Sequence, residues 1–351
     1  KRALHAARRR QRQLAVEGLE TRALLATINI DSQSKWNTYC GEDKCEIGDN
    51  GDHITISAGI TTDKDISIHG KSITIQDGVN IHSDGEITIE AKANMMTFGI
   101  NALNQIEDLF ASTLNATITV GDSVVIQGDK VEISAESGDP RLLEDSGVAN
   151  VINSFFHKFA ALGLEYLDRP DLLSLPLTFQ MWKPESTITI GTQGATSDQS
   201  TKIIGDEVTI TSDAEANAIG KAIANGSLRF PDKLFGNDAS LNGGLDLSSR
   251  FAIAAGLFIT HPTATIDFHN SIVSASGDIE ISTTVDNAIE LDVKAWKNIG
   301  LSKTHPDGIS VSLAWSEQKT TSTIVVDKDS LISTDGGNVT IEAKATNDNS
   351  T

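Results

Sequence analysis

Cys40 and Cys45 are the only two cysteines in the chain and stand close together in "YCGEDKCEIGD". In an oxidising compartment this spacing suits a small disulfide loop at the start of a folded body; two free surface thiols are the alternative reading. A zinc site needs further Cys or His at ligand spacing, and the segment supplies none. The acidic run "GEDKCEIGDNGD" (41 to 52) carries oxygen ligands for calcium, but neither the order of an EF-hand loop nor that of a calcium-binding β-roll. Among the eight scattered histidines, His69 and His82 are read as strand-end residues one coil apart, a weak metal or pH-sensitive pair at most. Asp206, Asp278 and Asn338 recur at equivalent places and could line one edge with carboxylates, the chemistry a polysaccharide lyase or glycoside hydrolase requires. Motifs of the G-x-S-x-G, H-E-x-x-H and phosphate-loop types are absent. The expectation is therefore no catalytic residue, no cofactor and no resident metal.

What must position these residues is a repeated unit. "SITIQDGVNIHSDGEITIEAKA" (72 to 93) holds three pairs of alternating apolar residues: Ile73 and Ile75, Val79 and Ile81, Ile87 and Ile89. "ATITVGDSVVIQGDKVEISAES" (116 to 137) follows the same plan with Ile118 and Val120, Val124 and Ile126, Val131 and Ile133. Segments 264 to 284 and 322 to 345 repeat it, and 186 to 214 is a looser copy. Period-two alternation over three to five residues predicts short strands with one buried face. Gly beside Asp, Asn or Glu in "SDGE", "QGDK", "IGDE", "SGDI" and "GGNV" supplies the corners, since Gly accepts positive φ and Asx side chains bond nearby backbone. A unit of about 20 residues buries its apolar face only by stacking on copies of itself. The expected fold is all-β, a right-handed parallel β-helix with Ile and Val in inward columns. A β-sandwich would also give many short strands, yet would not require one unit to recur with matched inward positions.

Two stretches carry helical rather than strand periodicity. Ile100, Leu103, Ile106 and Phe110 are so spaced in 98 to 114, as are Val148, Val151, Ile152, Phe155, Phe159 and Leu162 in 146 to 167. Helical insertions are expected near 96–114 and 140–185, with the proline-bearing 168 to 185 as an irregular return. In segment 215 to 262 the first part is open to reading as a third insertion, while "LDLSSRFAIAAGLFI" (245 to 259) reads as strands with small side chains. Trp296 and Trp315 lie in similar words, "LDVKAW" and "VSLAWSEQ", and are expected on equivalent strands.

Charge divides the chain. Residues 1 to 22 carry seven basic and two acidic side chains, a net +5, whereas the whole chain is −20. The acidic body argues against nucleic acid as a partner, because a polyanion needs clustered Lys and Arg. No apolar run is long enough for a membrane-spanning helix, and no ordinary signal-peptide core follows the arginines.

The basic stretch ends in "LETRALL", which resembles the LEPR-XLL motif of very large exported proteins of planctomycetes and other bacteria. Leu19, Glu20, Arg22, Leu24 and Leu25 fit it; Thr21 replaces the usual proline. "DGISVSLAWSEQKTTSTIVVDKDSLISTDGGNVTIEAKATNDNST" is similar to repeats of filamentous-haemagglutinin-like adhesins, and weaker similarity covers most of 50 to 351. These resemblances imply a secreted or cell-surface β-helix (28–351) behind a basic, helical sorting segment (1–27) that meets export or sorting machinery. They also imply glycan or protein partners on cells or matrix, and further coils beyond "TNDNST". The function expected is structural or adhesive rather than enzymatic; the alternative is an extracellular polysaccharide lyase or hydrolase on the same scaffold.

Overall fold

The computed structural model describes residues 27–93, 112–138, 173–174, 177–225, 227–228, 247–248, 251–296 and 309–350. Strand geometry dominates because Ile, Val and Thr alternate with polar residues, and the observed burial alternates with them: Ser72–Ile75 and Glu86–Ala93 bury every second residue.

The chain visits three parallel sheets in cyclic order, making seven stacked coils. The first sheet takes Thr27–Ile30, His53–Ile56, Ser72–Ile75, Ser112–Val120, Leu177–Ile190, Thr263–Phe268 and Thr321–Val326, with Leu173–Ser174, Phe251–Thr260 and Ile309–Gln318 extending it. The second takes Ile60–Thr62, Asn80–Ser83, Val125–Gln127, Thr201–Gly205, Ser271–Ala275 and Leu331–Thr334. Lys44–Ile47, Asp65–Gly70, Glu86–Ala93, Lys130–Ser137, Glu207–Asn225, Ile279–Trp296 and Val339–Ser350 form the third. Pairing within the three sheets is parallel throughout. A two-residue antiparallel pair, Ser227–Leu228 with Leu247–Ser248, stands apart. The arrangement is all-β with stacked parallel sheets, consistent with a solenoid-like class.

Register makes the core. In the third sheet Ile47, Ile68, Ile89, Ile133, Ile210, Ile281 and Ile341 are successive lateral partners. The first sheet does the same with Ile54, Ile73, Ile118, Ile188, Ile266 and Ile324, and the second with Ile60, Ile81, Ile126, Ile203, Val273 and Ile332. Members of coils two to six are at most 4% exposed. Each fully buried Ile contributes about 1.5–3 kcal/mol relative to exposure.

Beyond this core, the early part of the first sheet and the late part of the third face each other through smaller and polar side chains. The Ser186 and Ser212 hydroxyls meet at 2.8 Å, as do those of Thr283 and Ser322. Asn287 donates from Nδ2 to Asn347 Oδ1 of the next coil (3.1 Å), and Asn349 donates to Ser316 Oγ (3.1 Å).

Corners are stitched by acidic side chains. Asp77 Oδ1 accepts from the Asp122 amide (2.9 Å), and Asp122 Oδ1 accepts from the Thr192 amide one coil further on (2.8 Å). Asp65 does the same for the Glu86 amide, and Asp278 for the Asn338 amide. Much of the acidic surplus thus satisfies backbone donors.

A helix at Gln33–Tyr39, which no periodicity signals, stands where coil one lacks a second-sheet strand. Its Trp36 is fully buried in the core and donates from Nε1 to the Ala58 carbonyl (2.8 Å). At the other extreme Val339 and Ile341 of coil seven are 42% and 49% exposed.

Several expectations change. Residues 112–114 and 177–185 are strand, so the helical reading of 98–114 and the irregular return through 185 are corrected there. Residues 215–225 continue the third-sheet strand Glu207–Asn225 in place of a third insertion, whereas Phe251–Thr260 is a first-sheet strand, as 245 to 259 leads one to expect. Trp296 and Trp315 sit on different sheets, so their strands are not equivalent. The helical stripes at 100–110 and 148–162, and the sorting motif Leu19, Glu20, Arg22, Leu24 and Leu25, lie outside the described residues.

Candidate functional site

The outer face of the third sheet carries long polar side chains in lateral rows about 4.8 Å apart. Over coils one to four, lysines are interleaved with the acids of these rows. Lys44 pairs with Glu46 (2.6 Å), Lys92 with Glu90 (2.7 Å) and Glu136 (3.3 Å), and Lys130 with Glu86 (3.2 Å). Burial pushes the Glu90 carboxyl up, but hydrogen bonds from Lys92 and His69 outweigh it and hold Glu90 below its ordinary range. Lys92 is likewise raised, its partial burial outweighed by Glu90 and Glu136.

From coil four onward acids gather. Glu136, Asp213 and Thr284 are lateral neighbours, and two residues further along come Gly138, Glu215 and Asp286. This two-by-three lattice lacks one side chain, at Gly138, where φ is +85° and the strand ends. The gap becomes a cleft of about 390 Å³ lined by Glu136, Gly138, Asp213, Glu215, Thr284 and Asp286. Asp286 accepts a hydrogen bond from Thr346. Asp213 reaches the surface, yet its carboxyl is crowded. Desolvation raises its pKa first of all, a hydrogen bond from Thr284 opposes this, and the charges of Glu136 and Asp286 add to the rise.

A carboxyl held toward its protonated form beside other carboxyl groups is the raw material of acid–base chemistry. The residues lining this cleft include no aromatic ring to stack against a sugar and no basic side chain. Among the described residues no group of three or more His, Cys, Asp or Glu converges as a metal centre.

Asp213 binds its proton more tightly in the folded chain than in the unfolded one. Its favourable contribution is therefore complete below the ordinary aspartate value of 3.8 and is lost as pH rises through the raised value. Asp213→Asn is expected to raise the urea midpoint at neutral pH and to leave it nearly unchanged at acid pH. Equal shifts at both would mean that ionisation of Asp213 plays no part.

The residues singled out from sequence do not assemble in this cleft. Cys40 and Cys45 form a disulfide. His69 belongs to the third sheet and His82 to the second, so they do not stack; the lateral partner of His69 is Glu90, with Nδ1 2.9 Å from its carboxylate. His82 lies beside Thr61 and Gln127 and 3.4 Å from Asp84. Asp206 accepts from the Ser276 hydroxyl (2.8 Å), and Asp278 is engaged with Asn338, both in corners. In 41–52, Glu46 pairs with Lys44, while Asp52 accepts from the Asp49 amide within a turn. Glu136, Asp213, Glu215 and Asp286 were missed, although aligning "ISAESG", "ITSDAE" and "ISTTVD" by coil puts acids at matching outward positions.

Among the described residues no helix is long and apolar enough to cross a membrane. Comparison with family models, with curated proteins and with solved structures gives no match.

Proposed function

We propose that the chain is a right-handed parallel β-helix acting as a structural or adhesive rod, part of a large secreted or cell-surface bacterial protein, and not an enzyme. Residues 1–27, with the LEPR-XLL-like motif, are the sorting segment in this reading. Cell-surface or matrix glycans and proteins are its partners.

The observation that carries the reading is a division of labour between corners. The inward columns run unbroken through the coils, and two of the three corners are short turns. Four long connections, after Ala93, Gly138, Asn225 and Trp296, leave the third sheet and return to the first, while the helix-bearing connection 31–43 of coil one runs from the first sheet to the third. A stiff core with its variable segments gathered at one corner suits presentation to partners rather than turnover.

The acidic cleft favours one second reading, a polysaccharide lyase or hydrolase with Asp213 and Glu136 as the acid–base pair. Purified chain would be assayed on uronate and neutral glycans, for binding by pull-down and for turnover by released sugar ends. Binding without turnover is expected. Turnover abolished by Asp213→Asn and Glu136→Gln would replace the rod reading with the enzyme.

A further inference from the structure

The Gln33–Tyr39 helix has little to hold it in place by itself. It has seven residues, no side-chain bond at its Ser32 N-cap, no acid in its first turn and no base in its last. Helices this short are marginal unless anchored from outside. Its anchors include buried Trp36, the Trp36 Nε1 bond to Ala58, partly buried Tyr39 against the core, the Lys35 Nζ bond to the Asn29 carbonyl (3.0 Å), the Lys64 Nζ bond to the Gly41 carbonyl (2.6 Å), and the disulfide. Cys45 is fully buried at the head of the inward column that continues as Ile66, Ile87 and Val131. Cys40, half-buried, ends the helix. The bond therefore ties the helix directly to the first strand of the third sheet.

We infer that the Cys40–Cys45 disulfide is a redox latch on the helical cap of this end of the stack. Oxidised, it holds Trp36 in the core that also contains Ile30, Ile47 and Ile54; reduced, the cap opens locally while the coils beyond stay folded. The latch does not depend on the adhesive reading, although its use on leaving a reducing compartment would.

The chemistry is ordinary thiol exchange. A small dithiol, as thiolate, attacks the more accessible Cys40 sulfur, and Cys45 leaves as a thiolate that takes a proton from water. The second sulfur of the reductant then displaces the Cys40 thiol from the mixed disulfide. The reductant loses two electrons and the protein disulfide gains them. Cross-linking a loop of this size shifts the local opening equilibrium on the order of tens-fold.

The test is hydrogen exchange of the full chain with and without dithiothreitol, together with hydroxyl-radical labelling of Trp36. Reduction is expected to speed exchange over 31–47 at least about tenfold, to expose Trp36, and to leave 112–137 unchanged. Cys40→Ser with Cys45→Ser should behave the same without reductant. Unchanged protection of Trp36 in both cases would overturn the latch. So would loss of protection over 112–137 on reduction, because the bond would then hold the whole stack and not the cap.

Discussion

Ile210→Asp prevents the stack from folding, whereas Thr209→Lys, one residue away, leaves it nearly as stable as before. Ile210 is fully buried, with Ile133 on one side and Ile281 on the other. Removing the side chain to Ala already costs about 2–5 kcal/mol at such a site. A carboxylate there would have no cation and no water, and several kcal/mol more would go to burying it or to forcing its protonation. The combined loss approaches the whole stability of an ordinary domain, about 5–15 kcal/mol. Thr209 points outward, half-buried, with Glu132 and Glu280 as its lateral partners, so a lysine there keeps its charge at the surface beside opposite charges. Circular dichroism against urea measures both variants; an Ile210→Asp chain with a normal strand signal and midpoint would show that the columns do not carry the fold.

The second large effect lies in a turn. Gly191 sits at φ +75°, and a Cβ placed there would overlap the His269 carbonyl oxygen of the next coil. Gly78 has nearly the same φ, +71°, but opens on empty space. Gly78→Ala therefore reports left-handed strain alone, about 1–2 kcal/mol. Gly191→Ala adds a clash between coils that only backbone movement can relieve, and its total cost is expected to exceed about 3 kcal/mol. Urea midpoints of the two variants separate the effects. Equal losses would mean that close approach of coils plays no part.

The columns were legible because period-two alternation of Ile and Val has one physical cause, a strand with a dry face. The alternating Ile and Val pairs of 72–93 and 116–137 are all buried as their spacing demands. The cap was not legible: one apolar residue, Trp36, makes no stripe, and Ser32 makes no capping bond. The long third-sheet strands escaped notice because their inward residues past Ile210 are Ser212, Ala214 and Ala216, small or polar, facing an equally small-sided first sheet. His69 and His82 were paired by resemblance of context. True neighbours on this sheet stand a full coil apart, as His69 and Glu90 do at 21 residues. The acids of the cleft look like any solvated face until coils are aligned and the missing side chain at Gly138 is noticed.

The gathering of long connections at one corner has a consequence for how such a chain changes. Strands on either side of that corner keep their lateral partners whatever length of polypeptide joins them, as Ser112–Val120 and Leu177–Ile190 show. Foreign peptides grafted after Ala93, Gly138, Asn225 and Trp296 would thus be tolerated where the same grafts in the tight Asp-stitched turns would not. Borne on successive coils, they would be displayed as a single-file array at molecular pitch, a ready template for multivalent engagement.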